Sequence, residues 1–129
     1  MVLLGSGWTY SCSNRQEKNR SELLRTGDRL FHQNACITCH SLDGKEVYGP
    51  PLDGLYMKEV EVIRNGETIK LTADRSYLKR AIADPRYEEV KGYESKDMPE
   101  VHISDEDIDL LVEYLMIISD SSETQAPLP

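Results

Sequence analysis

The sequence predicts an all-α domain of three to four main helices, interrupted by one small β-hairpin near residues 59–71. Three observations carry that expectation. Apolar residues recur at helical spacing in two separated stretches: Leu23, Leu24, Gly27, Leu30 and Phe31 in the first, and Ile108, Leu111, Leu115 and Ile118 in the second. Between them, Asn65-Gly66 joins the β-prone runs Val60-Glu61-Val62-Ile63 and Thr68-Ile69-Lys70-Leu71, a strong local signal for a tight hairpin. The third observation is the pentapeptide Cys36-Ile37-Thr38-Cys39-His40, which gives the helices something other than each other to pack around.

Two cysteines two residues apart, followed at once by a histidine, form the pattern that fixes a c-type haem to a chain. The spacing lets both sulfurs reach the two vinyl groups on one edge of a porphyrin. The next side chain then falls under the iron as an axial imidazole. Two other chemistries use paired cysteines. A zinc site needs about four ligands, usually from a second CxxC or a paired histidine, and only Cys12, His32 and His102 remain elsewhere. A thioredoxin-like pair sits in a βαβ pattern, whereas the flanks here look helical. One haem c, attached through Cys36 and Cys39 with His40 as a metal ligand, is the expected cofactor.

At 129 residues and 14.7 kDa the chain has the length of one domain. A hydrophobic share of 39%, with one Phe and one Trp, makes a thin core for that length. A buried macrocycle would supply the missing apolar surface, so the cofactor is expected to stabilise the fold as well as serve its function. A net charge of −8 and a pI near 4.8 exclude a nucleic-acid role, because neutralising phosphates requires a basic face. An acidic carrier is steered instead towards a positive docking patch. Cys12 is left over. The short run Val2-Leu3-Leu4 and the residues Thr9-Tyr10-Ser11 before it loosely resemble a bacterial lipoprotein box, without a basic n-region or a full apolar core. Cys12 is therefore either a lipid attachment point or a plain surface thiol. No run approaches the ~18 apolar residues of a spanning helix.

In chain order, residues 1–20 read as an extended polar arm, 21–118 as the domain and 119–129 as a loose tail. Ser21 is the expected N-cap of a first helix over 22–33. Gly27 inside it costs roughly 1 kcal/mol against alanine, which implies that something packs closely there. Gly49-Pro50-Pro51-Leu52-Asp53-Gly54-Leu55 forms a stiff loop after the motif. Such a loop either is an ordinary surface turn or supplies a backbone carbonyl to the second ring nitrogen of His40, as iron-bound imidazoles require. Asp74 or Thr72 caps a helix through Tyr77, Leu78, Ala81 and Ile82, which Pro85 stops. Tyr87 to Lys96 reads as a loop. Ser104 opens the last helix with an acidic first turn and Asp107 completing an approximate capping box, and the helix runs to about Ile118.

Electron transfer is served by an iron whose coordination barely changes between oxidation states, and thioether plus imidazole ligation does this while raising the potential. Met98 is the expected sixth ligand. It stands in a loop beside Pro99, far enough after His40 for the hairpin and third helix to wrap a haem first. Met1 is terminal, Met57 is a short loop from the histidine and Met116 lies in the last helix. His102 is the competing ligand, and His32 is expected to face outward.

With these residues in place, the chain resembles a class I cytochrome c over about residues 22–118. The likeness rests on Gly27, Phe31, the Cys36–His40 motif, Gly49 to Leu55, Met98-Pro99, Leu111, Tyr114 and Leu115. It implies that the first and last helices cross with Gly27 against Tyr114. It also implies that the Pro50 carbonyl accepts from the proximal imidazole, that Leu52 packs on the haem and that Met98 is the distal ligand. The middle of the chain, from Asn65-Gly66 through Ala73-Asp74, Tyr77 to Lys79, Ile82 to Pro85 and Val90 to Tyr93, is similar to the haem c domain of subunit II of caa3-type cytochrome oxidases. Related single-haem subunits, including those of alternative complex III, share such domains. No cupredoxin domain or membrane hairpin precedes it here, so an isolated domain or a free-standing relative is expected.

The function implied is one-electron transport in a bacterial respiratory chain, in the periplasm or on the outer face of the cytoplasmic membrane. The expected partners are redox proteins of an oxidase or a quinol-oxidising complex, and no catalytic role is expected. The competing class is a haem-based sensor or peroxidase-like protein with an open distal site, and a third is a purely structural haem. Lys45, Lys91 and Lys96 flank the haem edge, as a docking patch or as ordinary solvated lysines.

Overall fold

Two long helices cross, and a shorter helix, a small sheet and a set of loops close the space beside the crossing. The computed structural model describes the backbone of residues 10–123 and the side chains of residues 12–120. Its elements are α1 (Tyr10–Gln33), α2 (Cys36–Cys39), β1 (Glu59–Arg64), β2 (Glu67–Thr72), α3 (Arg75–Ala83), β3 (Glu89–Val90) and α4 (Asp105–Glu123).

The crossing of α1 and α4 is fixed by the absence of a side chain. A Cβ at Gly27 would lie 2.5 Å from Tyr114 Cγ and 2.8 Å from Cδ2, so only glycine lets the helices approach this closely. Tyr114 is 5% exposed. Its hydroxyl donates to Asp28 Oδ1 at 3.3 Å, and its ring lies 6.1 Å from that of Phe31. Around this contact Leu30, Phe31, Ile108, Leu111, Val112 and Leu115 form the helical part of the core.

The hairpin forms as expected. Asn65 (φ 51°) and Gly66 (φ 78°) both take left-handed backbone, as a two-residue turn matched to strand twist demands, and Arg64 pairs with Glu67 across it. Val62, fully buried, carries the sheet's inner face into the core. Asp74 is the N-cap of α3, accepting from the Tyr77 N–H at 2.9 Å. Ser104 Oγ accepts from the Asp107 N–H at 3.1 Å, with Asp105, Glu106 and Asp107 complementing the α4 dipole.

Three expectations need correction. The fold is helices plus a three-stranded antiparallel sheet, ordered β2-β1-β3, rather than helices plus a hairpin alone. Glu89–Val90, expected within a loop, pairs with the free edge of β1 through Val62↔Val90 and Ile63↔Glu89. A two-residue strand has no periodicity to read, and its partner's open edge dictates it. The first helix begins at Tyr10, not after Ser21. Arg15, Gln16, Glu17, Lys18 and Arg20 are good helix formers with no apolar stripe, which hid the helix. Ser21 Oγ instead bonds back to the Lys18 carbonyl at 2.9 Å inside it. At the other end α4 runs on to Glu123, and Ser119, expected in the tail, is buried with its Oγ accepting from the Tyr56 N–H at 3.2 Å. The remainder of the expected arm (1–9) and tail (124–129) lies outside the described residues. Among the described residues, no helix is long and apolar enough to cross a membrane.

Candidate functional site

The site begins where α1 ends. Ala35, at φ 57°, breaks the helix and turns the chain into the single turn of α2, which carries both motif cysteines. His40 leaves that turn in extended conformation. The loop that follows folds straight back on the motif. The Gly49 N–H donates to the Cys39 carbonyl at 2.7 Å, and the Leu52 N–H donates to the Ser41 carbonyl at 3.0 Å. The Gly44 N–H donates to Asp53 Oδ1 at 2.7 Å, tying the loop's two halves.

This folding presents the Pro50 carbonyl to His40. Nδ1 lies 2.8 Å from that oxygen, and because a carbonyl only accepts, Nδ1 carries the hydrogen. Nε2 is then the unprotonated nitrogen whenever the ring is neutral, ready to bind a metal. Burial pushes the His40 pKa down, opposed by the Pro50 carbonyl, which favours the charged ring. The net direction keeps the imidazole neutral, as ligation requires. Gly49 lies flat against the ring: a Cβ there would come within 2.8 Å of His40 Cε1 and 3.0 Å of the Cys39 carbonyl.

Cys36, Cys39, His40, Pro50, Leu52 and Met98 all line one cavity. It is open to solvent at its mouth, and its free space, the open mouth included, is about 1410 Å³. Its apolar walls come from five elements: Phe31 of α1, Val60 of β1, Leu78 and Ile82 of α3, Val90 of β3, and Leu111 and Leu115 of α4. Burial pushes the Cys36 thiol up, and neighbouring Cys39 adds to the shift.

The segment bearing Met98 lines the same cavity through Lys96, Asp97, Met98 and Val101. Turns at Val90–Tyr93 and Tyr93–Lys96 lead into it, with N–H to carbonyl distances of 2.9 Å each. The Lys96 ammonium sits 5.7 Å from the Tyr48 ring centre and 5.2 Å from that of Tyr93, within cation–π range, joining this segment to the loop under His40. The alternatives to Met98 lie elsewhere. Met57 is 58% exposed, and Met116 Sδ accepts from Arg75 Nη1 at 3.6 Å. His102 is exposed and does not line the cavity. His32 faces outward and donates from Nδ1 to the Asp28 carbonyl at 2.9 Å. Cys12 is exposed on α1. Among the described residues, no three His, Cys, Asp or Glu side chains converge as a metal-binding group, which leaves the zinc alternative without support.

Sequence reasoning missed one wall of this cavity. Glu88 lines it and is 5% exposed, though it stands in a stretch that reads as a polar loop. No periodicity marks it. Tyr48 and Tyr93, also lining residues, are aromatics in otherwise polar loops, and that signal was available.

The donor set fits a covalently held haem c. Two thiols stand beside an imidazole whose outer nitrogen is fixed by a carbonyl, and a thioether lines the same apolar space. No curated protein matches the chain. The family model for cytochrome c matches residues 24–119, from within α1 through α4. That match spans the helix crossing and the cavity alike, and the chain belongs to the cytochrome c family, whose members carry electrons on covalently bound haem c.

Proposed function

We propose that the chain carries single electrons in a bacterial respiratory chain, as a subunit of, or donor to, a membrane oxidase or quinol-oxidising complex. The observation that supports this reading is that Cys36, Cys39, His40 and Met98 share one apolar cavity. Haem c, when bound, supplies an iron that gains and loses one electron. Cys36 and Cys39 would hold the porphyrin through thioethers, and His40 would bind the iron through Nε2. The Pro50 carbonyl fixes the ring's orientation and raises its basicity. Met98 supplies the sulfur ligand, which favours the reduced state. Leu52 and the other apolar side chains exclude water, so little rearranges when charge arrives. With His40 and Met98 both holding it, the metal would be closed to substrate, and the chain would act as a carrier rather than an enzyme.

The likeness to the haem c domain of caa3-type oxidase subunit II, and to alternative complex III subunits, supports the choice of partner. Ile37 and Val47, 42% and 45% exposed, lie beside the motif with Lys45 and give a partner a contact at the thioether edge. The location is the periplasm or the outer face of the cytoplasmic membrane, where c-type haem is attached, and exposed Cys12 is either a lipid attachment point or a plain surface thiol.

Spectroscopy of the purified holoprotein tests the axial assignment. The ferric protein should show the weak sulfur-to-iron charge-transfer band and the ferrous protein should bind CO slowly, whereas Met98→Ala should lose the band and bind CO rapidly. Rapid CO binding by the unaltered protein would instead support a sensor or peroxidase-like role.

A further inference from the structure

The cavity wall contains a buried charge that ligation does not require. The register Ile63↔Glu89 sets Glu88, just before β3, beside Arg64 at the end of β1. Arg64 Nη2 donates to Glu88 Oε2 at 2.5 Å, and Arg80 of α3 donates to Oε1 from Nε at 3.0 Å and from Nη2 at 2.7 Å. The Glu88 side chain is 1% exposed, while those of Arg64 and Arg80 are 28% and 39% exposed. The Tyr87 ring lies beneath both guanidinium groups, 5.0 Å from Arg64 and 5.8 Å from Arg80, and fixes their orientation. Glu88 itself lines the cavity, and the two arginines stand behind it.

Three N–H bonds from two permanent cations converge on the Glu88 carboxylate. An anion in a dry wall stabilises the more positive oxidised iron, and the cations behind it stabilise the reduced one. We infer that the Arg64–Glu88–Arg80 cluster is a built-in determinant of the haem's reduction potential, with Glu88 lowering it and the arginines raising it. This rests on the cavity being the haem site. The cluster also pins β1, α3 and β3 together, so a purely structural role is the competing explanation, and the two differ in sign at Glu88. Loosening the wall admits water, which favours the charged ferric state and lowers the potential whichever residue is changed.

Spectroelectrochemical titration of the holoprotein at fixed pH and salt decides between them. Glu88→Gln should raise the potential by about tenfold in the equilibrium constant against a fixed reference couple, about 59 mV for one electron. Arg80→Gln should lower it by a similar factor. A fall with both variants, or a change under twofold with Glu88→Gln, overturns the inference. Should Glu88→Gln fail to accumulate, Arg80→Gln and Arg64→Gln decide: a lowered potential with full haem loading and an unchanged CO-binding rate supports the inference, and an unchanged, raised or water-exposed haem overturns it. The sulfur-to-iron band of the unaltered protein is read separately, so an error in the haem site itself is told apart from an error in its tuning.

Discussion

Replacing Gly27 by alanine sets two effects of known sign against each other. Alanine gains about 1 kcal/mol in a helix interior over glycine, so propensity alone makes Gly27→Ala stabilising. The crossing opposes this. The added Cβ would lie 2.5 Å from Tyr114 Cγ and 2.8 Å from Cδ2, against a favourable carbon–carbon separation of roughly 3.5–4 Å. Tyr114 has no room to yield, being 5% exposed, packed on Phe31 and tied to Asp28. The crowded atoms include its own Cβ, so rotation of the ring brings no relief. Overpacking of this kind costs about 1–3 kcal/mol, and the upper end applies when a backbone-attached atom must move. The net effect is a loss of about 2 kcal/mol, or about 8 °C in Tm for a domain of this size. Thermal unfolding of the oxidised holoprotein by far-ultraviolet circular dichroism measures it. A Tm raised by a few degrees would refute the close crossing, since propensity would then be acting unopposed.

Other substitutions probe the site and its supports. Gly49→Ala drives a methyl group against the His40 ring and the Cys39 carbonyl, and should lower the Tm of the holoprotein, measured by circular dichroism, at a cost of about 1–3 kcal/mol. Asp74→Ala removes the acceptor for the Tyr77 N–H and should cost about 1 kcal/mol, measured by denaturant titration. Tyr77 and Tyr114 both have pKa values pushed from 10.0 to about 12, chiefly by burial, with the Glu88 and Asp28 charges adding to it. A raised folded-state pKa means that the stability is fully present below pH 10 and is lost as pH climbs through 12. For Tyr77, 4% exposed, the loss is about 2–3 kcal/mol. Tyr77→Phe should therefore flatten the fall in stability between pH 10 and 12, and an unchanged alkaline limb would contradict its burial.

What was legible in the sequence is what local chemistry decides. Asn65-Gly66 needs left-handed backbone at both positions, and Asp74 and Ser104 are caps because their oxygens reach the N–H groups of the first turn. The motif was legible because covalent attachment fixes its spacing. Gly27 gave itself away as an unfavourable residue in a good helix, and the resemblance identified Tyr114 as the reason. Long-range decisions were hidden. Glu89–Val90 is a strand only because β1 offers an open edge. Glu88 is buried only because that pairing brings it to Arg64, and two arginines distant in sequence make its burial tolerable. The start of α1 was hidden by its exposure, since a helix whose side chains face solvent all round carries no apolar stripe.

The central claim is that Cys36 and Cys39 hold one haem covalently beneath an iron bound by His40. Mass spectrometry of the purified native protein, denatured, treated with a thiol alkylating reagent and then proteolysed, tests it most directly. The account predicts that the peptide spanning Cys36 to His40 carries one haem and that neither of its cysteines is alkylated. Alkylation of both cysteines on a haem-free peptide would contradict it.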